Sequence, residues 1–214
     1  MFNEFRADYV TDLKGVRESY RVFTAPINWR LESGDRVEAN VAPAGERITA
    51  PFEITTGVII PPGTYDWWRY RVEVGTAAKR RLAGQLTWWF GGFYGGHLDQ
   101  LQAEGSWTPS PVVSFLLNAQ RNIGRLPSGD FDQTLVGVKV RLNLSPDLQI
   151  NSFVQFDNET RSAGTNTRVR WTFHPQGDLF VIYNHNIRDF KESPAGWARD
   201  ANALLVKAQY AFRR

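Results

Sequence analysis

Apolar and polar residues alternate with a period of two along most of this chain. The clearest case is TRVRWTFH, where Val169, Trp171 and Phe173 alternate with Arg168, Arg170 and Thr172. That pattern is the signature of a strand with two unlike faces. Helical periodicity is nearly absent. Period-two segments recur at 5–10, 19–32, 36–43, 65–75, 82–94, 99–108, 112–121, 133–144, 148–157, 165–174, 179–187 and 202–212, which predicts an all-β chain of about twelve antiparallel strands. No composition shift divides them, so residues 1–214 are expected to form one domain.

Two-faced strands have two solutions. In a soluble sandwich the apolar row faces a core, and in a transmembrane barrel it faces lipid while the polar row faces a lumen. The connections favour the barrel. SGD, TAAKRR, TPSP, SPD and PQGD are tight and rich in turn residues, and they alternate with stretches such as TDLKGVRE, residues 42–66, NIGRLPSGDFD, ETRSAGT and RDFKESPAGWARDA. Short periplasmic turns alternating with longer external loops are the habit of an up-and-down outer-membrane barrel. The connection GGHLD fits poorly, being short where a long one is expected.

The aromatic residues give a second line of argument. On the apolar rows, Trp29, Trp107, Trp171, Phe173, Tyr210 and Phe212 fall near one end of the strands, and Phe23, Trp68, Tyr70, Trp88, Phe90, Phe156 and Tyr183 near the other. Between them lie Val72, Val74, Val136 to Leu142 on alternate residues, Leu204 and Val206. Two aromatic bands around an aliphatic belt are what a bilayer selects, since amphipathic rings favour its interfaces. The opposite rows carry Arg36, Glu38, Arg69, Arg71, Glu73, Gln102, Glu104, Lys139, Arg141, Gln155, Asp157, Arg168, Arg170 and Lys207. These are the expected lumen-lining residues. Their basic lean predicts a weak preference for anions in any conductance.

Composition adds limits. With 8 Trp, 14 Phe and 7 Tyr, 14% of the 214 residues are aromatic. There is no cysteine, which excludes disulfides and thiolate metal sites. The formal charge of +3 and the absence of a basic run longer than Lys79-Arg80-Arg81 give no nucleic-acid footprint. No apolar run is long enough for a transmembrane helix, and the negative mean hydropathy does not exclude a barrel. The start, MFNEFRADYV, does not read as a signal peptide. An exported chain of this kind is expected either to have had its signal removed or to be the C-terminal part of a longer protein.

Two resemblances sharpen the expectation. ALLVKAQYAF, closing on Phe212, resembles the C-terminal signal of bacterial outer-membrane proteins, although Arg213 and Arg214 follow the aromatic. That resemblance implies recognition by the barrel-assembly machinery and a location in the bacterial outer membrane. PFEITTGVIIPPGTYDWWRYRVEV (51–74), WWFGGFYGG (88–96), LPSGDFDQTLVGVKV (126–140) and TRVRWTFHPQGDLFVIYNHN (167–186) resemble the C-terminal barrel of large exported proteins. Those proteins carry an N-terminal family-9-type carbohydrate-binding module, and their barrel is of unknown function. The resemblance covers nearly the whole chain and implies an upstream binding module. It transfers no catalytic motif.

Candidate chemistry is sparse. A serine-histidine-asparagine hydrolase on the outer wall would need one of His97, His174 or His185. His97 falls in a connection, His174 at a periplasmic turn, and His185, between Asn184 and Asn186, on the lipid face without an evident serine. Paired carboxylates for glycoside hydrolysis are limited to Asp130 with Asp132 and Asp157 with Glu159, all at expected turns. No metal or cofactor is expected. The long connection 44–64, with alternating Ile and Val, is expected to fold into the lumen, as a plug or constriction, or against its neighbours. The expected function is therefore that of a membrane-embedded channel, anchor or export route in contact with outer-membrane lipid. The alternatives are a lipid or glycan hydrolase on the same barrel, and a soluble carbohydrate-binding sandwich.

Overall fold

The structure, a computed structural model, describes residues 4–189 and 196–212. Residues 190–195 of the last connection, and Arg213 and Arg214, lie outside the described residues. Among those described the regular structure is all strand: β1 (Glu4–Thr11), β2 (Arg17–Arg30), β3 (Arg36–Ile48), β4 (Phe52–Thr55), β5 (Val58–Ile60), β6 (Gly63–Gly75), β7 (Leu82–Phe93), β8 (Gly96–Ser110), β9 (Val113–Leu126), β10 (Gly129–Ser145), β11 (Leu148–Asp157), β12 (Ser162–His174), β13 (Gly177–Asp189) and β14 (Trp197–Tyr210). Twelve of them form one antiparallel sheet in chain order, with β3 bonded to β6 past a separate β4–β5 hairpin. This is the up-and-down connectivity of the β-barrel class, reached because every connection is local.

Turn chemistry sets the hairpins. Asp12 accepts the backbone N–H groups of Lys14 and Val16 at 2.8 Å each, closing the turn that Gly15 completes. Tyr94 and Gly95 form a two-residue turn with φ of 44° and 80°, the paired positive values that a type I′ hairpin requires. GGHLD is therefore mostly strand. NIGRLPSGDFD, expected to be a connection, is also strand except for residues 127–128, so Asp130 and Asp132 lie on β10. The expected loop 44–64 shrinks to 49–62, because β3 continues to Ile48 and β6 starts at Gly63, and β4 and β5 lie within it.

The chain divides into two compact units. The first runs up to Arg80 with Gly84–Ala103 and Gln120–Gln133, and the second comprises Arg81–Ala83, Glu104–Ala119 and the chain from Thr134. In the first, Val37, Ala39 and Val41 stand opposite Val74, Val72 and Tyr70, which stand opposite Leu86, Trp88 and Phe90. This apolar face is open: Trp68 is 58% and Val74 44% exposed. The other face holds Glu38, Asn40, Arg69 and Glu73, none more than 8% exposed. The core of this unit is a cluster of Val58, Ile60, Tyr94 and Leu126, joined by Trp67 and Phe93. The β4–β5 hairpin thus lies against the aromatic end of the polar face.

One register shift overturns an expectation here. Between Thr24 and Ile27 the β2–β3 pairing slips by one residue, a bulge that reverses the alternation of β2. Phe23, expected among the outward aromatics, lies on the polar face, while Trp29 keeps the apolar one.

The second unit repeats the separation. Ile150, Val169, Val181 and Val206 form one cross-strand row, and Leu148, Trp171, Leu179 and Ala208 the next on the same face. On the opposite face Gln149, Arg170, Phe180 and Lys207 align, as do Asn151, Arg168, Ile182 and Leu205. Ile182 and Leu205 interrupt an otherwise polar row.

Candidate functional site

The polar face of the first unit is built around Arg71. Its Nη2 donates to Glu38 Oε1 at 2.5 Å and approaches Glu73 Oε2 at 3.5 Å, while Arg36 pairs with the same Glu73. Glu38 and Glu73 are direct cross-strand neighbours. Two carboxylates that close are tolerated only because Arg36 and Arg71 neutralise them. Asn40 donates to Glu38 Oε1 at 2.9 Å, and Thr87 Oγ1 to Glu73 Oε2 at 3.2 Å. The Arg71 guanidinium lies 5.7 Å from the Phe23 ring centre and 5.5 Å from that of Trp89. Such contacts contribute about 0.5–2 kcal/mol each.

Beside this network is a cavity of about 500 Å³, lined by Arg6, Arg21, Trp67, Arg69, Trp89, Phe93 and Gln100, among others. Its aromatic lining was not anticipated. The signal was present in the doublets Trp67-Trp68 and Trp88-Trp89, because adjacent residues of a strand face opposite sides. Each doublet therefore puts one indole on the apolar face and one on the polar face.

The remaining expected residues of the polar row can be placed by register. Lys139 and Arg141 stand opposite Phe153 and Asn151, Gln155 opposite Gly164, and Asp157 opposite Ser162. Alternation from Gln100, which accepts from Arg69 at 2.9 Å, carries Gln102 and Glu104 onto the same face. Arg168 lies 4.6 Å over the Phe180 ring, and Arg170 pairs with Asp178 at 3.1 Å. Among the described residues, Lys139, Arg141, Arg168 and Lys207 have no carboxylate within ion-pair distance. Another cavity of about 500 Å³ in the second unit is lined by Gln155, Asn166, Asn184, Asn186 and Arg188 together with Asp157. All nine aromatics expected at an interface are exposed, from Tyr70 at 39% to Phe212 at 87%, with Trp29, Trp68, Trp88, Trp107, Trp171, Phe173 and Tyr210 between.

The candidate catalytic groups do not assemble. His97 lies on β8, not in a connection, with Nε2 3.2 Å from Asp99. His174 Nδ1 accepts the Gln176 N–H at 3.2 Å, a turn contact. His185 Nδ1 donates to Asn202 Oδ1 at 2.5 Å, and its cross-strand neighbour on the other side is Thr165. Asp132 pairs with Arg121 at 2.5 Å, and Asp157 caps the turn through Glu159 N–H at 2.9 Å. Among the described residues no group of three or more His, Asp or Glu is arranged to hold a metal ion.

At the turn between β2 and β3, Asp35 accepts from the Ser33 hydroxyl at 2.7 Å, the Ala77 N–H at 3.0 Å and Arg80 at 2.8 Å. These contacts, the Ser33 hydroxyl foremost, hold its carboxyl below the usual range. Burial and the Glu46 carboxylate, which accepts from its hydroxyl at 2.5 Å, push the Tyr94 phenol up.

No family model and no curated protein matches the chain. Among solved structures it is similar to one described as "NanC porin structure in rhombohedral crystal form", at 8% identity and a TM-score of 0.37, over 91% of this chain and 94% of that one. At that distance the likeness bears no weight on function. The fold assignment rests on the strand pairing.

Proposed function

We propose that the chain is an outer-membrane β-barrel whose polar face lines a solute path, a channel with a preference for anions. The observation that carries this is the inversion of its two faces. Glu38, Asn40 and Glu73 are at most 4% exposed, while Leu204, Val206 and Trp68 are 58–66% exposed. A protein surrounded by water buries its apolar row, and apolar surface this extensive marks contact with lipid or a partner. Aromatic and aliphatic residues on the open face and charges on the closed one match a membrane barrel. The anion preference follows from Lys139, Arg141, Arg168 and Lys207, cations without described carboxylate partners. The resemblance of those four stretches to the C-terminal barrel of module-bearing exported proteins extends the proposal. In such a protein the barrel also anchors or exports what precedes it, and its C-terminal segment engages the assembly machinery.

The test has two stages. The chain should require detergent and show heat-modifiable gel mobility; a monomer soluble without detergent ends the membrane reading. In planar bilayers it should pass chloride more readily than potassium, with the ratio falling in an Arg168→Gln, Lys207→Gln variant. A second reading, a hydrolase acting on outer-leaflet lipid, is favoured only by the His185–Asn202 pair with Thr165 alongside. Phospholipid hydrolysis that disappears in His185→Ala would establish it.

A further inference from the structure

The cavity beside the Arg71 network has a charge imbalance that the network does not use. We propose that it is a binding site for a small aromatic carboxylate. Arg69 is 8% exposed, yet its guanidinium makes one described hydrogen bond, from Nη2 to Gln100 Oε1, and no ion pair among the described residues. Asp99 is the carboxylate whose field reaches it, and Asp99 Oδ1 is already engaged by the Trp88 indole N–H at 3.0 Å. A buried cation without a counter-ion is costly, and an arginine fork is shaped to take a carboxylate by two parallel bonds.

The rest of the cavity supports the assignment. Arg21 lines it and has no described hydrogen-bonding or ion-pair partner. Arg6 and Asp8 neutralise each other at 3.0 Å, which leaves Glu4 against Arg21 and Arg69. The cavity is therefore net positive. Trp67, Trp89 and Phe93 line it, and the Phe93 ring centre lies 5.9 Å from the Arg69 guanidinium. Rings stack on such walls in offset or edge-on arrangements. Gln100 adds a neutral polar side chain to the lining, and Trp67 and Trp89 carry indole N–H donors. A flat aromatic ring matches these walls, and the carboxylate it carries would meet Arg69 and Arg21. The volume of about 500 Å³ falls among small-molecule sites, which run ~300–1,000 Å³. Trp67 and Phe93 also pack against the cluster that Val58 and Ile60 complete, so the hairpin holds the aromatic wall in place.

The inference rests on the channel reading only for the route by which a solute arrives; binding itself is measured on the full chain in detergent micelles. Calorimetry and tryptophan fluorescence would follow titrations with benzoate, its neutral isostere benzamide, and glucuronate. Benzoate should bind at least tenfold more tightly than benzamide or glucuronate. Arg69→Gln should weaken benzoate binding by tenfold or more and leave benzamide unchanged. Arg21→Gln, at an exposed position, should weaken it severalfold while keeping heat-modifiable mobility, which covers the case of an Arg69 variant that fails to fold. Equal binding of benzoate and benzamide, tighter binding of glucuronate, or benzoate affinity unchanged in Arg21→Gln overturns the assignment. Absent benzoate binding with bilayer conductance intact rejects the site and leaves the channel standing.

Discussion

Phe23 and Trp29 lie six residues apart on one strand and point to opposite faces of the sheet. Trp29 stands opposite Val37 and is 49% exposed, whereas the Phe23 ring lies 6.5 Å from Trp89 on the polar face. Residues an even number apart share a face in an unbroken strand, so the extra residue between Thr24 and Ile27 is what separates them. Pro26 falls within that step. Deleting it leaves Phe23 and Trp29 five residues apart, an odd spacing that keeps them on opposite faces of an unbroken strand with the β3 register intact on both sides. The expected result is that the heat-modifiable folded form is retained. A severalfold loss of that form would mean that the bulge does more than set the phase of β2.

That bulge also marks the limit of what could be read from the sequence. The separation of faces was legible wherever alternation ran unbroken, as at Val169, Trp171 and Phe173 against Arg168 and Arg170. A period of two is a direct consequence of pleating and does not depend on tertiary contacts. A register shift leaves no mark in composition, so parity counted across Thr24–Ile27 misplaced Phe23. Turn residues misled in a different way. LPSGD reads as the middle of a long connection, yet only residues 127–128 leave the strands, because Gly129 at φ 140° lets pairing resume at once. The ion-pair network needed lateral register between β3 and β6, which alternation alone does not supply. The cavity needed both that register and the inward member of each tryptophan doublet.

The Arg71 network predicts a large and recoverable loss of stability. Glu38 holds both Arg71 and Asn40, and its side chain is 6% exposed. Glu38→Ala leaves a buried guanidinium short of a partner, and breaking such a pair from one side costs ~3–5 kcal/mol. Adding Arg71→Met should restore much of it, since removing both charges costs far less than stranding one. Urea unfolding of the protein in lipid vesicles, read by tryptophan fluorescence, would compare the two. Equal stability of the single and double variants would count against the pairing.

Asp35 gives a pH dependence whose sign is fixed. Its carboxyl titrates below the ordinary carboxylate value of about 3.9, because the charged form accepts from Ser33, Ala77 and Arg80. A group whose folded pKa is depressed contributes stability above its unfolded pKa and loses that contribution as pH falls through the folded value. The turn should therefore stay ordered through mildly acid pH and loosen only below the usual carboxylate range. Hydrogen exchange at the Ala77 amide, corrected for intrinsic rates, should accelerate there. Asp35→Asn should flatten the profile. An acceleration that persists unchanged in that variant would point to a different group.

The β4–β5 hairpin predicts an electrical phenotype. Ile60 is 1% and Val58 5% exposed, packed with Tyr94 and Leu126 at the aromatic end of the polar face. If that face lines a solute path, the hairpin narrows it. Replacing residues 49–62 with a short Gly-Ser link should raise single-channel conductance in planar bilayers. The strands on either side pair independently of the hairpin, through Ile48 and Gly63, so the sheet should survive the change. An unchanged conductance in a folded deletion variant would show that the hairpin does not obstruct the path.

Val206 offers the sharpest test of what surrounds the sheet. It is 65% exposed, stands opposite Val181, and shares its row with Val169 and Ile150. On a water-exposed surface, a lysine at a position this open changes stability by no more than about 0.5 kcal/mol. On a lipid-facing row near the bilayer midplane the same change costs ~2–4 kcal/mol. Lys207, the next residue, faces the opposite side and supplies the internal control. Val206→Lys should destabilise the protein in vesicles by that larger amount, while Lys207→Val should cost far less. A neutral effect of Val206→Lys would put water, not lipid, against this face, and the channel reading would fall with it.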